Sequence, residues 1–459
     1  MGGIYLVAFL VARNQFRALI GERGMLPVTD YVRRVRFAQS PSVFHWRFSD
    51  RLFGAITWVG IALAAAAATG VVDHAPAGVG MAVWLALWAL YLSIVNVGQT
   101  WWAFGWETLL LEAGFLAVFL GPADVAPPWL VLLLIRWLVF RVEFGAGLIK
   151  MRGDQCWRDL TCLAYHHETQ PMPGPFSWWF HRLPLRLHKA EVLGNHVAQL
   201  VVPFLLFTPQ PVAGIAAALI ITTQLWLVVS GNFSWLNTVT IALAIPALGD
   251  GLLHHVIPVD PPTDLAGAPL WHDILVGAFT VLVVVLSVRP ALNLVSPRQV
   301  MNTSFDPLRL VNSYGAFGSI TKIRREVIVE GTSDAVLAPD TEWREYEFKG
   351  KPGDPLRRPR QFAPYHLRLD WLMWFLALSP SYGRSWFRPF LDRLLRNDGD
   401  TLKLLRHNPF PDAPPTHVRA RLFRYRYTTR SERKDTGAWW HREPIGEMVR
   451  PIRRDDVRG

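Results

Sequence analysis

The chain has 459 residues, of which 51% are apolar and only 18% are charged, and its mean hydropathy is +0.20. This composition excludes an ordinary soluble enzyme, a disordered chain and a coiled coil. The net charge of +11 is concentrated at one end. Residues 298–459 carry 30 Lys and Arg against 20 Asp and Glu, whereas residues 1–297 carry 17 against 16. The composition therefore predicts a polytopic membrane protein with a basic soluble part.

The first 295 residues divide into apolar segments long enough to cross a bilayer, which takes about 20 residues. The opening run from Gly2 to Val11 is only half that length before Arg13 interrupts it, which predicts an interfacial or re-entrant piece, or a start further upstream. Short links between later segments favour antiparallel neighbours and a compact bundle. We predict spans near residues 52–72, 79–98, 106–121, 127–150, 191–208, 212–230, 233–249 and 271–289.

A polar region begins near Ser296. Residues 323–330, 343–348 and 418–427 alternate apolar and charged side chains, which is typical of strands with one buried face. The Trp-rich segment from Leu367 to Leu378 is more helix-like. A second helix-like segment covers residues 386–405.

The sequence thus predicts two regions. Residues 1–295 form an α-helical polytopic membrane bundle of about eight or nine spans, with a loop at residues 151–190. Residues 296–459 form a smaller soluble, β-rich, sandwich-like domain with a helical insertion. The loop and residues 21–51 are basic, whereas residues 250–270 contain no Lys or Arg. By the positive-inside rule, this distribution predicts that the basic loops and the C-terminal domain face the cytoplasm.

Charged residues within the predicted spans are the first candidates for function, because each costs about 2–4 kcal/mol unless it meets a partner or water. Arg136, Glu143 and Lys150 recur every seven residues and therefore share one helix face. They predict either a polar cavity in which Lys150 or Glu143 acts as a base, or a buried Arg–Glu pair with a lysine that reaches the interface. Glu107 and Glu112 point to different sides of their helix, which predicts packing contacts.

A second polar stripe lies on the span after the loop. Glu191, Asn195 and Gln199 recur every four residues, and His196 lies beside them. Because the two stripes flank one loop, we predict that they share a polar cavity.

The loop between the stripes contains both cysteines of the chain. The spacing of Cys156 and Cys162 permits a local disulfide and fits no common zinc motif. His166, His167 and Glu168 are consecutive, so their side chains diverge, and we predict no metal there. No phosphate loop, dinucleotide-binding motif or nucleophile elbow is present, so no cofactor is predicted. The basic tail is attached to membrane spans, which argues against nucleic acid as a partner.

Several long motifs resemble one known family, the lipase maturation factors, and the resemblance covers nearly the whole chain. The motifs are Ile4 to Phe9, Leu19 to Pro27, Gly147 to Pro173, Asn312 to Gly318, Arg325 to Thr332, Tyr346 to Asp354 and Ala363 to Trp374.

The resemblance implies a membrane protein that helps secreted lipases fold and assemble. It also implies lipid as a partner, lipase-like clients, a possible homodimer, and the endoplasmic reticulum membrane as the location in animal relatives. The family is thought to place its important domain on the lumenal side, which is opposite to the side predicted from the arginines. The 40 Arg and 7 Lys indicate a GC-rich coding sequence, which favours a bacterial source and its cell membrane.

A shorter motif, Ala146 to Lys150 followed by Trp157, resembles the vitamin K-dependent carboxylase and related transmembrane proteins. The resemblance implies a base at the position of Lys150. The rival hypothesis is therefore a membrane enzyme that uses Lys150 or Glu143, with Asn195 and His196 as polar contacts.

Our main hypothesis is a maturation factor without chemistry of its own. Arg368, Asp370, Trp371 and Trp374 are predicted to contact clients or lipid on an exposed Trp-rich stretch. Alternatively, this stretch is the helix that covers the sheet, and its charged residues lock the domain.

Overall fold

The computed structural model describes residues 1–256 and 264–457. Helices fill the N-terminal region. They are α1 (Gly2–Leu19), α2 (Val28–Arg34), α3 (Asp50–Ala68), α4 (Ala77–Val97), α5 (Gly105–Ala117), α6 (Trp129–Arg152), α7 (Gln155–Arg158), α8 (Leu163–Thr169), α9 (Ser177–Phe180), α10 (Leu185–Leu200), α11 (Val202–Leu205), α12 (Val212–Ser230), α13 (Leu236–Ala244), α14 (Asp250–Val256) and α15 (Leu270–Val295).

Strands and short helices follow. The strands are β1 (Thr303–Ser304), β2 (Asn312–Ser313), β3 (Arg324–Thr332), β4 (Arg344–Glu345), β5 (Glu347–Phe348), β6 (Leu405–His407), β7 (His417–Tyr427) and β8 (Trp440–Ile452). The helices are α16 (Arg368–Leu378), α17 (Phe387–Leu395), α18 (Gly399–Leu402) and α19 (Arg430–Thr436). Single 3₁₀ turns lie at Phe37–Gln39, Val43–His45, Val72–His74, Gln99–Trp102, Ile245–Ala247, Pro380–Gly383 and Asp455–Val457.

Within residues 1–256 and 264–457, four helices are long and apolar enough to cross a membrane, namely α3, α4, α12 and α15. Large apolar side chains lie exposed along them, as at Ile215, Leu219, Val281 and Val285. Exposed apolar rows of this kind are unfavourable in water and suit lipid contact. The other predicted spans correspond to shorter, broken or more polar helices. For example, the predicted span 191–208 is divided between α10 and α11.

The N-terminal run differs from its prediction. Gly2–Leu19 is one 18-residue helix, so the expected short interfacial piece is wrong in length. Arg13 does not end the helix because arginine is a good helix former. Its guanidinium lies 5.8 Å from the centre of the Trp58 ring of α3. One turn earlier, α1 packs closely on α3, where a Cβ on Gly60 would lie 2.4 Å from the Phe9 ring. Close helix contact therefore requires glycine at this position.

The C-terminal region is built on one four-stranded antiparallel sheet in the order β4-β3-β7-β8. The long pair β3–β7 runs in register from Arg324 opposite Tyr425 to Thr332 opposite His417. Helix α16 packs on β3, while β1–β2 and β5–β6 form two small separate sheets. The predicted sandwich is therefore wrong, because an apolar helix covers the main sheet in place of a second sheet.

The two regions share one hydrophobic core. Tyr5 and Leu109 of the helical region belong to the same buried cluster as Val327 and Trp371 of the C-terminal region. The rings of Trp101 and Trp386 lie 5.2 Å apart across the junction. The C-terminal region is therefore packed on the helices rather than tethered to them.

Candidate functional site

The two polar stripes meet around Glu143. Its side chain is buried on α6 and accepts hydrogen bonds from Gln224 Nε2 at 2.6 Å and Gln199 Nε2 at 3.3 Å. Gln199 in turn accepts a hydrogen bond from Lys150 Nζ at 2.6 Å. One amide thus joins the buried carboxylate and the buried ammonium, and this arrangement offsets the cost of removing both charges from water.

Close approach of α6 and α10 makes these contacts possible. A Cβ on Gly147 would lie 2.7 Å from Leu200 and 3.1 Å from Gln199. The Lys150 ammonium also lies 5.2 Å from the centre of the Trp157 ring. The predicted base is therefore enclosed by an amide oxygen and an aromatic face.

Only part of the predicted polar set joins this network. Asn195 Nδ2 donates to Gln199 Oε1 at 3.2 Å. By contrast, Arg136 donates to the carbonyl of Leu206 at 3.1 Å, and His196 contacts the carbonyl of Trp157 at 3.0 Å. Glu191 accepts a hydrogen bond from the Trp226 indole at 2.6 Å. The stripes therefore meet at their C-terminal ends, at Lys150 and Gln199, whereas Arg136 and Glu191 at their N-terminal ends have other partners.

Two network members were not predicted from the sequence. Gln224 on α12 accepts a hydrogen bond from Asn237 on α13 at 2.6 Å, which extends the network to four helices. The sequence feature that could have identified Gln224 is a polar amide within an otherwise apolar span, because such a residue needs a partner inside the bundle.

The loop after α6 docks onto the C-terminal region. A disulfide joins Cys156 and Cys162, whose Cα atoms lie 4.8 Å apart. Trp157 Nε1 donates to the carbonyl of Phe317 at 2.8 Å, and Asp154 accepts a hydrogen bond from the backbone of Ile320 at 2.6 Å. The disulfide-bonded turn therefore rests on the segment that leads into β3.

Further along the loop, polar contacts reach the main sheet. Buried Arg324 of β3 donates to the carbonyl of Gln170 at 2.6 Å. Glu168 accepts a hydrogen bond from the backbone of Tyr427 at 2.8 Å, and its oxygen lies 3.4 Å from His181 Nε2. Burial raises the pKa of Glu168. Burial and the nearby charge of Arg182 lower the pKa of His181 to about 4, so this histidine is neutral near pH 7.

A direct ion pair fastens α16 to the helical region. Arg368 Nη1 lies 2.7 Å from Glu107 Oε1 and 2.6 Å from the carbonyl of Trp101. Tyr91 donates to the other Glu107 oxygen, and the Arg368 guanidinium lies 3.9 Å from the centre of the Trp102 ring. Glu107 therefore makes a packing contact, as predicted, and this contact is an ion pair between the helical region and the C-terminal region.

Glu112 of α5 forms a second contact between the helical region and the C-terminal region. It pairs with buried Arg141 of α6 and accepts hydrogen bonds from the Tyr314 hydroxyl at 2.7 Å and from the Asn312 backbone at 3.0 Å. The two glutamates of α5 thus hold different parts of the C-terminal region.

The Trp-rich helix is not an exposed contact surface. Arg368, Asp370 and Trp371 are at most 3% exposed. Asp370 accepts hydrogen bonds from the backbone of Gly350 and Lys351, and partly buried Trp374 donates to the carbonyl of Thr169 at 2.9 Å. The exposed client or lipid surface predicted here is wrong, because the helix is used to cover the sheet and lock the junction.

Comparison with known proteins follows the same division of the chain. The lipase maturation factor transmembrane domain matches residues 1–255, and the lipase maturation factor C-terminal domain matches residues 310–450. No solved structure gives a significant match.

Named relatives match along nearly the full length. Lipase maturation factor 1 of Bos taurus is 41% identical, with 99% of this chain and 88% of the relative covered. The Homo sapiens protein of the same name is 40% identical, with 99% and 87% covered. Lipase maturation factor 2 of Rattus norvegicus is 28% identical, with 99% and 82% covered. With both regions matched at this identity, the chain belongs to the lipase maturation factor family.

Proposed function

We propose that this protein is a membrane-embedded maturation factor, assisting the folding or assembly of exported lipases or similar secreted proteins. The observation that carries the proposal is the 41% identity to a named lipase maturation factor over 99% of the chain. The same residues that join the two regions, including Glu107 and Arg368, lie within the matched ranges. We infer that the protein acts through binding and without chemistry of its own.

The rival lysine-base enzyme is not supported by these matches, which are to named maturation factors. The surroundings of Lys150 also disfavour it. Its ammonium already donates to Gln199 at 2.6 Å and faces Trp157, so a substrate would first have to displace these groups.

We propose eight or nine membrane crossings in total. The long apolar helices α3, α4, α12 and α15 account for four of them. The remaining crossings would use α1, α5, α6, α10–α11 and α13, which carry buried polar residues such as Glu143 and Gln199. A homodimer and bound lipid belong to the same proposal, and cross-linking in membranes followed by mass measurement tests the dimer.

We further propose that the C-terminal region lies outside the cytoplasm, at the surface of a bacterial cell membrane. The support is the Cys156–Cys162 disulfide, since disulfides persist mainly in oxidising compartments. The loop that carries it is bonded to the C-terminal region through Trp157 and Asp154, so both occupy one side. This inference opposes the arginine distribution, which is a weak guide for long segments.

Reporter fusions after Arg298 and after Gly459 test the orientation. A reporter that is active only outside the cell should give a signal from both fusions, and one that is active only in the cytoplasm should give none. The reverse result would contradict the proposed side.

The function itself is tested by deleting the gene and measuring secreted lipase activity per mole of lipase protein. We expect reduced specific activity of at least one secreted lipase, restored by the wild-type gene. Unchanged specific activity across all secreted lipases would refute the proposal.

A further inference from the structure

Three side chains converge between α8 and α10. His167 Nε2 lies 3.6 Å from Glu191 Oε2, and His188 Nδ1 lies 3.9 Å from the same oxygen. The three ligand atoms all lie within 4.8 Å of one another. His188 and Glu191 are one turn apart on α10, so the helix presents them on one face, and α8 supplies the third group.

These atoms lack ordinary hydrogen bonds. Neither ring nitrogen of His167 or His188, nor Glu191 Oε2, has a hydrogen-bond partner among the described residues. The two histidines are only 1% and 2% exposed. Buried polar groups are nearly always bonded, and leaving one unbonded costs about 1–3 kcal/mol. Three such groups within 4.8 Å of one another therefore indicate a missing partner that accepts lone pairs from all of them.

A divalent transition-metal ion meets this requirement. Two imidazoles and one carboxylate are ligands that zinc commonly takes in sites with three protein ligands and one open position. With bonds of about 2.0–2.1 Å, a tetrahedral ion separates its ligand atoms by about 3.3–3.4 Å. The two histidine nitrogens lie 3.6 and 3.9 Å from the Glu191 oxygen, and all three atoms lie within 4.8 Å of one another. Binding would therefore draw the ligand atoms together by up to about 1.4 Å, a distance that side-chain rotations cover.

The surroundings also suit a metal. The other oxygen of Glu191 accepts a hydrogen bond from the Trp226 indole at 2.6 Å, which orients the carboxylate as outer groups do in metal centres. The Glu191 side chain is 16% exposed, and this exposure supplies an entry path. The nearby ring of Phe180 stacks on His167 and limits access from that side.

We propose that His167, His188 and Glu191 form a zinc-type metal site. The ion would clamp α8 to α10 and so close the loop between residues 169 and 185. Within that loop, Trp178 donates a hydrogen bond to the carbonyl of Thr428, the residue that follows β7. The fourth position would be open to water. The proposal does not depend on the lipase-maturation role, because it rests on these three side chains alone.

The test uses the full chain purified in detergent with an affinity tag that contains no histidine. After chelator treatment, Co²⁺ is titrated in and visible absorption is recorded, and zinc is then measured per chain after reloading and gel filtration. We expect about one Zn²⁺ per chain and the intense absorption of tetrahedral Co²⁺.

Substitutions of single side chains test which residues bind the metal. Glu191→Gln keeps an oxygen for Trp226 but removes the charge, and His188→Asn removes one ligand; each should weaken metal affinity at least about tenfold. His181→Asn is the matched control, since His181 is a partly buried loop histidine outside the triad, and it should bind like wild type. The proposal would be overturned if the wild-type protein did not bind stoichiometric zinc or did not give a tetrahedral Co²⁺ spectrum. This test does not depend on whether the variants fold. Triad variants with wild-type affinity would overturn the proposal as well.

Discussion

Two buried glutamates are stabilised in different ways at the junction and inside the bundle. Glu107 meets a guanidinium directly, at 2.7 Å from Arg368, and also holds Tyr91. Glu143 meets only amides, and its nearest cation, Lys150, is bonded to the far end of Gln199. Both carboxylates are at most 1% exposed, so the difference lies in their partners and not in their burial.

The two environments differ in how much stability is lost when one bonding partner is removed. At the junction, one arginine carries a direct charge pair between segments far apart in the chain, so its loss leaves the Glu107 carboxylate bonded to Tyr91 but without a counter-charge. In the bundle, the charge is spread over Gln199, Gln224 and Asn195, so one substitution leaves other donors in place. The junction should therefore be the more fragile of the two.

The largest effect is expected from Arg368→Met. Removal of one partner from a buried pair should lower the free energy of unfolding by about 3–5 kcal/mol. Tryptophan fluorescence during denaturation in detergent measures this loss. The double variant with Glu107→Gln should recover much of the stability because both charges are gone. A single variant as stable as the double one would contradict the junction as described.

A pH effect should arise from His366, which sits at the same junction. It is fully buried among the rings of Phe104, Trp106 and Trp371. Burial and the charge of Arg368 hold its pKa well below the usual value. Below pH 6.5, His366 therefore becomes protonated in the unfolded chain but stays neutral in the folded chain. The free energy of unfolding then falls by about 1.4 kcal/mol per pH unit, or about 2 kcal/mol by pH 5.

Comparison with His366→Phe isolates this term from other titrating groups. The stability difference between wild type and variant should shrink or reverse in favour of the variant as the pH falls from 7 to 5. A constant difference over this range would show that His366 does not couple to folding.

Lys150→Met tests the bundle network, with a smaller expected loss of about 1.5 kcal/mol for one charged hydrogen bond. Secreted lipase activity per mole should remain normal once membrane levels are matched. A variant with normal stability and abolished maturation would instead support the lysine-base hypothesis.

The smallest effect is expected from Trp374→Phe, which removes the hydrogen bond to Thr169 and should cost about 1 kcal/mol. Trp46, which is 76% exposed, offers the control Trp46→Phe, with no expected loss. Normal stability combined with reduced lipase maturation would restore Trp374 as a client contact.

Local patterns in the sequence predicted local structure well. The apolar run at residues 212–230 coincides with α12, and the alternation at residues 418–427 lies within β7. The two polar stripes meet at Lys150 and Gln199, because helical spacing alone fixes which side chains share a face.

Contacts between residues that are far apart in the chain could not be predicted from the sequence. Arg368 and Glu107 are 261 residues apart, and no periodic pattern connects them. Strand β8 was missed because Pro444 and Pro451 interrupt its alternation, and such residues are tolerated at the sheet edge that β8 occupies. His167 was judged beside its sequence neighbours, whereas the fold brings it to Glu191 on another helix.

One contact of the first helix bears on the order of assembly during synthesis. The buried amide of Gln15 donates to the carbonyl of His366 at 2.7 Å and accepts a hydrogen bond from the backbone of Arg368. These partners lie 351 and 353 residues later in the chain. At about 5–20 residues per second, a ribosome needs about 20–70 seconds to reach them. Helix α1 is therefore made well before the final partners of its amide, and this contact closes only after the C-terminal region has been synthesised.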